Sequence, residues 1–268
     1  MKKYHLNLSQ DGTFNPRDIF GSHDDSDHVY NTPRAWYMAR CLNPSTMNWD
    51  GPDADFTPLS DDIPWCMVPE KKVTIEDVKY VLSSHFQGTP YDPYASYGDK
   101  SMKGAYRAIG VNRTDFLGII QMRPDAGEDS RAIEWVAFAS NVFNTAVPFY
   151  TDVEKVPEYF SNTTGDASTD NFYWASRMIA AMADASYSKS IFHIERYQER
   201  VMSKGHQLIG KYDALLEKES DAAKRMSLRH QANQEIADMV KKEASDTLNK
   251  VLYELSNQMK NAYSRSDA

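Results

Sequence analysis

The distribution of proline and tryptophan divides the chain near residue 185 and limits what each part can form. All five tryptophans lie before residue 185, and no proline follows Pro157. Because proline interrupts helix interiors, its absence permits long helices toward the C-terminus. The earlier part, with its proline- and glycine-containing turns, is typical of loops and short elements. We therefore predict two regions, residues 1–187 and residues 188–268.

The C-terminal region has the apolar periodicity of two amphipathic helices. Apolar residues recur there at spacings of three, four or seven, interrupted around Glu219–Asp221. This pattern predicts a helical hairpin. Its apolar stripes either pack on the chain's own sheet or mediate oligomerisation. The residues of the stripes are Ile194, Tyr197, Val201, Leu208, Tyr212 and Leu215, then Ala232, Ile236, Met239, Leu248, Leu252, Leu255 and Met259.

The first region combines helices with short β-rich segments. Thr74 and Asp77 have the spacing of a capping box before an apolar helical face, and Ser168–Asp170 predicts a second helix start. Short turns separate the β-rich segments, which favours an antiparallel meander. The predicted class is α+β. The four predicted strands cover residues 105–111, 115–122, 133–139 and 145–153.

Composition excludes several classes of function. The 38 acidic and 30 basic side chains give a net charge of −8, which argues against nucleic acid as a partner. No apolar run reaches the ~18 residues of a membrane span, and the polar Met1–His5 segment predicts no signal peptide. Two cysteines support neither a disulfide framework nor a four-cysteine zinc site. We expect a cytoplasmic protein that does not associate with membranes.

Most clusters of reactive side chains have a simple structural interpretation. The acidic run from His23 to His28 is either a divalent-metal site or, as we favour, a solvated and capping loop. Cys41 and Cys66 have apolar neighbours, which favours buried, inert thiols over nucleophiles. His85 follows an apolar helical face and is expected to be structural. We predict no metal and no cofactor.

Arg34 is the residue whose position most suggests chemistry. Asn31 and Pro33 precede it in a turn, and Trp36 and Tyr37 follow it. An arginine held at such a helix start either binds a carboxylate or developing negative charge, or forms a structural salt bridge. The residues alone leave both alternatives open.

Five segments resemble the bacterial cysteine dipeptidases of the dipeptidase A type, which are related to the secernins. The resemblance spans residues 4–263 and implies the αββα sandwich of the N-terminal-nucleophile hydrolases. It also implies metal-independent hydrolysis of dipeptides. The segments are Phe20–His23, Tyr30–Tyr37, Ile109–Thr114, Glu134–Phe138 and Ser168–Trp174.

The resemblance also exposes a departure from the family's chemistry. In the family, a cysteine at the mature N-terminus attacks the substrate and its own α-amine acts as base. Here Met1 and Lys2 occupy the start, and both cysteines are internal. We therefore expect this sequence to correspond to the C-terminal part of a family chain, inactive unless an N-terminal partner segment supplies the nucleophile.

The resemblance implies a catalytic role for Arg34. Related penicillin V and bile-salt acylases place a catalytic arginine at a helix start, before a second helix and a β-hairpin. The predicted order here is the Arg34 helix, the Thr74 helix and a hairpin over 105–122. Asn31, Asn112 and Arg113 are candidate substrate-binding residues, the last two with a structural role in the hairpin turn as the alternative.

Two non-enzymatic roles compete with the dipeptidase hypothesis. The first is a binding or assembly module that uses the helical hairpin, with homo-oligomerisation as one form. The second is a degenerate chain whose exposed sheet edge causes aggregation. An upstream coding segment with an early cysteine would favour the enzyme.

Overall fold

The computed structural model describes residues 2–4, 16–22 and 24–261 and has the predicted α+β composition. The chain forms two compact units, Met1–Ile109 and Gly110–Ala268. The domain boundary at residue 187 stays a prediction. The first unit contains the 3-10 turn Lys2–Tyr4 and helices α1 (Pro16–Phe20), α2 (Asp27–Tyr30), α3 (Thr32–Leu42) and α4 (Ile75–Leu82). The second contains β1 (Phe116–Met122), the 3-10 turn Glu128–Ser130, β2 (Ala132–Phe138), β3 (Val147–Tyr150), α5 (Glu158–Ser161), α6 (Phe172–Ala185), α7 (Tyr187–Leu216) and α8 (Ala222–Ser256).

An aromatic core organises the first unit. Trp36 and Tyr37 of α3 are buried, and Phe86, which follows α4, packs edge-on against Tyr37 at 5.5 Å between ring centroids. Phe86 has a φ of 65° although it is not glycine, so burial of its ring holds the backbone in the left-handed region. The predicted capping box is confirmed, because Thr74 and Asp77 bond each other's backbone at the start of α4.

The sheet has three antiparallel strands in the order β1-β2-β3, one fewer than predicted. The strand predicted over residues 105–111 is wrong. In that segment Arg107 donates its backbone N–H to the carbonyl of Val29 in α2 at 3.1 Å, so its hydrogen bond goes to a helix end instead of a neighbouring strand. The first β-hairpin is therefore β1–β2, with Phe116 opposite Phe138 and Met122 opposite Ala132.

One face of the sheet packs under α7. Trp135 of β2 lies 4.6 Å from the ring of His206, measured between centroids, and donates its indole N–H to Gln121 of β1 at 3.1 Å. Gly205 permits this approach, because a Cβ at that position would lie 2.9 Å from Pro148 in β3. The core of the second unit thus lies between the sheet and the long helices.

The helical hairpin is confirmed, but its apolar stripe in α8 differs from the predicted one. Leu252 is 49% exposed, whereas Ala244, Thr247 and Val251 are buried. The buried face of α8 therefore runs through Ala244, Thr247 and Val251, and Leu252 lies outside it. Asp221 caps α8 as the hairpin prediction suggests, whereas the cap of α6 is Asn171 instead of Ser168–Asp170.

Asp129 connects the β1–β2 loop to α8. Its carboxylate accepts a hydrogen bond from Arg225 Nε at 2.7 Å and also pairs with Arg229, whose side chain is 3% exposed. Arg229 in turn donates to the carbonyl of Asp152 at 2.8 Å. The hydrogen bond from Arg225 is the main cause that lowers the pKa of Asp129.

No helix in the described part of the chain is long and apolar enough to cross a membrane.

Candidate functional site

Asn31 forms the junction between α2 and α3 and thereby fixes where α3, the helix that carries Arg34, begins. Its backbone N–H bonds the carbonyl of Asp27 at 2.9 Å, and its own carbonyl accepts from the N–H of Arg34 at 3.1 Å. The Asn31 side chain donates to the Asp27 carboxylate. Pro33, buried in the first turn of α3, restricts the backbone further. The turn predicted before Arg34 is therefore rigid.

The Arg34 side chain crosses to a segment 73 residues away. Its Nε donates to the backbone carbonyl of Arg107 at 3.0 Å in a partly buried position. The guanidinium of Arg107 lies over the ring of Tyr30 at 5.5 Å from the centroid. Two arginines and one tyrosine thus meet beside the α2–α3 junction. Arg107 has no distinguishing sequence pattern, and only the contact with Arg34 identifies it.

The electrostatics of this arginine pair favour an anionic ligand. Burial, and then the positive charge of Arg107, lower the pKa of Arg34. Within the described ranges no carboxylate forms an ion pair with Arg34 or Arg107, whereas Arg200 and Arg229 in the second unit each pair with two. The alternative of a structural salt bridge at Arg34 is thus not seen among those residues. Neighbouring guanidinium groups without carboxylates suit a ligand carboxylate, which arginine binds in a bidentate manner.

The other two predicted binding residues lie in the second unit. Asn112 and Arg113 are exposed in a turn before β1. The backbone carbonyl of Asn112 accepts a hydrogen bond from Arg177 Nη1 at 2.8 Å, which ties the turn to α6. The prediction that they occupy a hairpin turn is wrong, because the strand expected before them is absent and the β1–β2 turn follows Met122. The structure brings Asn31 and Arg34 together, while the binding role of Asn112 and Arg113 stays a prediction.

The two cysteines differ in environment. Cys41 is partly buried in α3, and burial raises the pKa of its thiol more than the Tyr37 hydroxyl and Arg40 lower it. This environment disfavours the nucleophilic thiolate, in agreement with an inert thiol. Cys66 is exposed, so the prediction that it is buried is wrong. Ile63 packs in the aromatic core, whereas Cys66, three residues later, lies at the surface.

Two buried polar pairs lie in and after α4, and their pairing was not predicted from the sequence. Lys79 is only 4% exposed and donates from Nζ to Ser83 Oγ at 2.6 Å. Burial lowers the pKa of Lys79 to about 7. Nearby in sequence, His85 Nδ1 lies 2.9 Å from Asp92 Oδ1, and both residues are 7% exposed. The structural role predicted for His85 agrees with this buried pair.

The structure describes only part of the segment from His23 to His28, for which a divalent-metal site was one of the two predictions. His23 itself lies outside the described residues. Asp24 accepts backbone N–H groups from Ser26 and Asp27 at 3.0 and 3.2 Å, and His28 Nε2 lies 3.2 Å from Asp61 Oδ1. Asp24 thus acts as a capping carboxylate. Among the residues with described positions, no group of three or more histidine, cysteine, aspartate or glutamate side chains has metal-binding geometry.

Comparison with known proteins identifies the class. A dipeptidase of Bifidobacterium longum (strain NCC 2705) is 46% identical over 302 aligned residues, covering 98% of this chain and 57% of the relative. A probable dipeptidase A of Streptococcus pyogenes serotype M18 is 44% identical over 265 residues, covering 98% of this chain and 53% of the relative. The relatives are thus bacterial proteins named dipeptidases, and the chain spans little more than half of their length.

The family assignment follows from a second comparison. The model of Peptidase family C69 matches residues 1–200. The chain therefore belongs to Peptidase family C69, and its resemblance to the dipeptidase A type is confirmed.

Proposed function

We propose that this chain forms part of a dipeptidase in which Arg34 and Arg107 hold the free carboxylate of the substrate. The observation that carries the proposal is the half-buried Arg34 side chain beside Arg107, with no carboxylate paired to either in the described structure. A free carboxylate two bonds from the scissile nitrogen is present in every dipeptide and distinguishes its amide from an internal amide of a longer chain. Membership of a peptidase family supports the same substrate class.

The proposed reaction needs a nucleophile from outside these 268 residues. In the family chemistry, the N-terminal cysteine sulfur attacks the amide carbon, the C-terminal amino acid leaves, and water hydrolyses the resulting thioester. Cys41 and Cys66 are internal and have no α-amine of their own. We therefore propose that the 268 residues alone are inactive, and that an N-terminal segment completes an αββα fold. A cytoplasmic location and a homo-oligomer stay predictions.

Arg34 acts in this scheme by position instead of by proton transfer. Its hydrogen bond to the Arg107 carbonyl uses Nε, so the two terminal nitrogens of the guanidinium are not needed for that contact. Anchoring one end of the substrate fixes the scissile amide relative to the incoming sulfur, which lowers the entropic part of the barrier. No metal or cofactor takes part in the proposed reaction.

Binding of dipeptides tests the role of Arg34 independently of turnover. Calorimetry compares a dipeptide with its C-terminal amide, using the 268-residue chain and its Arg34→Gln variant. We expect the variant to bind the dipeptide about tenfold more weakly and the amide unchanged, since one charged hydrogen bond is lost. Arg196→Gln, at an exposed arginine of α7 that belongs to no predicted site, is the matched control. Equal affinity of the parent chain for acid and amide would refute carboxylate recognition.

Turnover is measured separately, with and without EDTA. We expect no hydrolysis by the 268 residues alone. Hydrolysis that survives EDTA but is lost in Cys41→Ala or Cys66→Ala would make an internal cysteine the nucleophile and refute the proposed chemistry.

A further inference from the structure

The outer face of β1 is apolar and exposed. Three of its seven side chains form an uninterrupted strip on that face: Phe116 is 54% exposed, Ile120 68% and Met122 63%. Gly118 lies between them, and the Phe116 ring covers it, with a ring carbon 2.9 Å from where a Cβ would stand. We call Phe116, Ile120 and Met122 the β1 strip. Contiguous exposed apolar surface of this kind marks an interaction site more often than scattered single residues do.

The same face of the sheet is covered in part at β2 and β3. Glu134 of β2, which stands opposite Ile120, and Phe138 are partly exposed. Val136 of β2 and Val147 of β3 are buried. Phe138 packs against Phe172 of α6 at 5.5 Å, and Phe149 packs against Phe160 of α5 at 4.7 Å, both between ring centroids. The cover formed by α5 and α6 therefore ends before the β1 strip, although the sheet and its apolar surface continue.

The backbone edge of β1 is open as well. In the described sheet β1 is a terminal strand and pairs only with β2. Its sequence, FLGIIQM, contains no charge and no proline, and all seven residues pair in register without a bulge. Proteins normally protect an edge strand with at least one charge, proline or bulge. A regular, uncharged edge beside an apolar strip has the properties of a strand that receives another strand.

We propose that β1 receives a β-strand from the additional polypeptide that the longer relatives contain. This chain matches only 57% and 53% of the length of the two relatives described above. The remaining length is ample for a strand that extends the sheet at β1 and places apolar residues, at every second position, beside the β1 strip on the same face. The proposal rests on the proposed function, since the same additional polypeptide would supply the nucleophile.

The test uses the part of the Bifidobacterium longum dipeptidase that this chain does not match, produced separately and mixed with the 268-residue chain. We expect a one-to-one complex by light scattering and slowed hydrogen exchange of amides in residues 116–122. Ile120→Lys should weaken the complex at least about tenfold, because burial of one large aliphatic side chain is replaced by burial of a charge. Leu252→Lys, on the exposed margin of α8, is the matched control and should bind as the parent chain does.

The outcomes separate the docking proposal from the proposed function. A complex that forms at β1 but hydrolyses no dipeptide supports docking and counts against the enzyme. Hydrolysis by a complex that is insensitive to Ile120→Lys, without slowed hydrogen exchange in β1, overturns docking at β1 and supports the proposed dipeptidase function. Self-association of the 268-residue chain that Ile120→Lys abolishes overturns the proposal in favour of a second copy. Failure of both folded components to associate also overturns it. Unchanged circular dichroism of each variant confirms that folding is intact.

Discussion

Lys79 places an amine inside the first unit, where its charged form is disfavoured. The side chain is 4% exposed and bonds Ser83, and burial lowers its pKa to about 7. In the unfolded chain the same amine stays protonated to about pH 10. Between pH 7 and 9 the unfolded state therefore holds a proton that the folded state has released, so raising the pH favours folding.

We predict that the free energy of unfolding rises between pH 7 and 9 by roughly 2 kcal/mol more in the parent chain than in Lys79→Met. Urea denaturation at the two pH values measures the difference. Lys72→Met changes an exposed lysine and should keep the parental pH dependence. The same rise in Lys79→Met as in the parent would show that Lys79 stays charged in the folded protein.

Single residues also show where sequence reasoning reaches its limit. Arg34 is recognisable because proline and asparagine precede it in a helix-start pattern, which is local information. Arg107 and Lys79 have no such pattern. The role of Arg107 depends on a contact made across 73 residues. The burial of Lys79 depends on the packing around the end of α4, and lysine is almost never buried so completely.

Two glycines of α7 give a matched comparison at the scale of elements. A Cβ on Gly205 would lie 2.9 Å from Pro148, whereas no atom lies within 4 Å of a Cβ on Gly210. We predict that Gly210→Ala raises the free energy of unfolding by about 1 kcal/mol through helix propensity. Gly205→Ala should lower it by about 1 kcal/mol or more, because overpacking against the proline ring exceeds that gain.

Urea denaturation of the two variants measures this contrast. Stabilisation of equal size in both would mean that α7 is not held against β3 at Gly205. Alanine is compared at both positions, so the intrinsic helical preference of the new side chain cancels between them.

The elements that the sequence predicts correctly are those with a complete local pattern. Helix α4 has its capping box and apolar face, and the long helices have sustained periodicity. The segment 105–111 alternates in the same way as a strand, but pairing also requires a neighbour, and its backbone instead bonds the end of α2. The buried face of α8 includes small and polar residues such as Ala244 and Thr247, which hydropathy alone does not select.

At the scale of the whole molecule, the second unit has a core of its own. Trp135 and Tyr150 from the sheet, Tyr197 from α7 and Ile236 from α8 are each no more than 1% exposed. We predict that residues 110–268 fold alone and give a helical circular dichroism spectrum with one cooperative urea transition. Trp135→Ala in the same fragment should lower its free energy of unfolding by about 3 kcal/mol or more. A fragment without a cooperative transition would refute an independent core.

The fold class was predictable from the order and periodicity of the elements, because many residues contribute to each periodic pattern. The boundary predicted at residue 187 follows composition and stays a prediction, whereas the compact units follow contacts and separate at residue 109. Composition changes where the chain becomes helical. It does not show that these helices share a core with the sheet.

The bond between Asp129 and α8 has a consequence for the rate of unfolding. Asp129 meets Arg225 and Arg229 across 96 and 100 residues of sequence, whereas the β1–β2 and α7–α8 hairpins close over short turns. Closing so long a loop costs more entropy than closing a short turn, so we predict that these contacts form after the hairpins and are absent from the transition state of folding. Interactions formed that late slow unfolding and leave the folding rate almost unchanged. We therefore expect Asp129 to contribute mainly to the lifetime of the folded second unit.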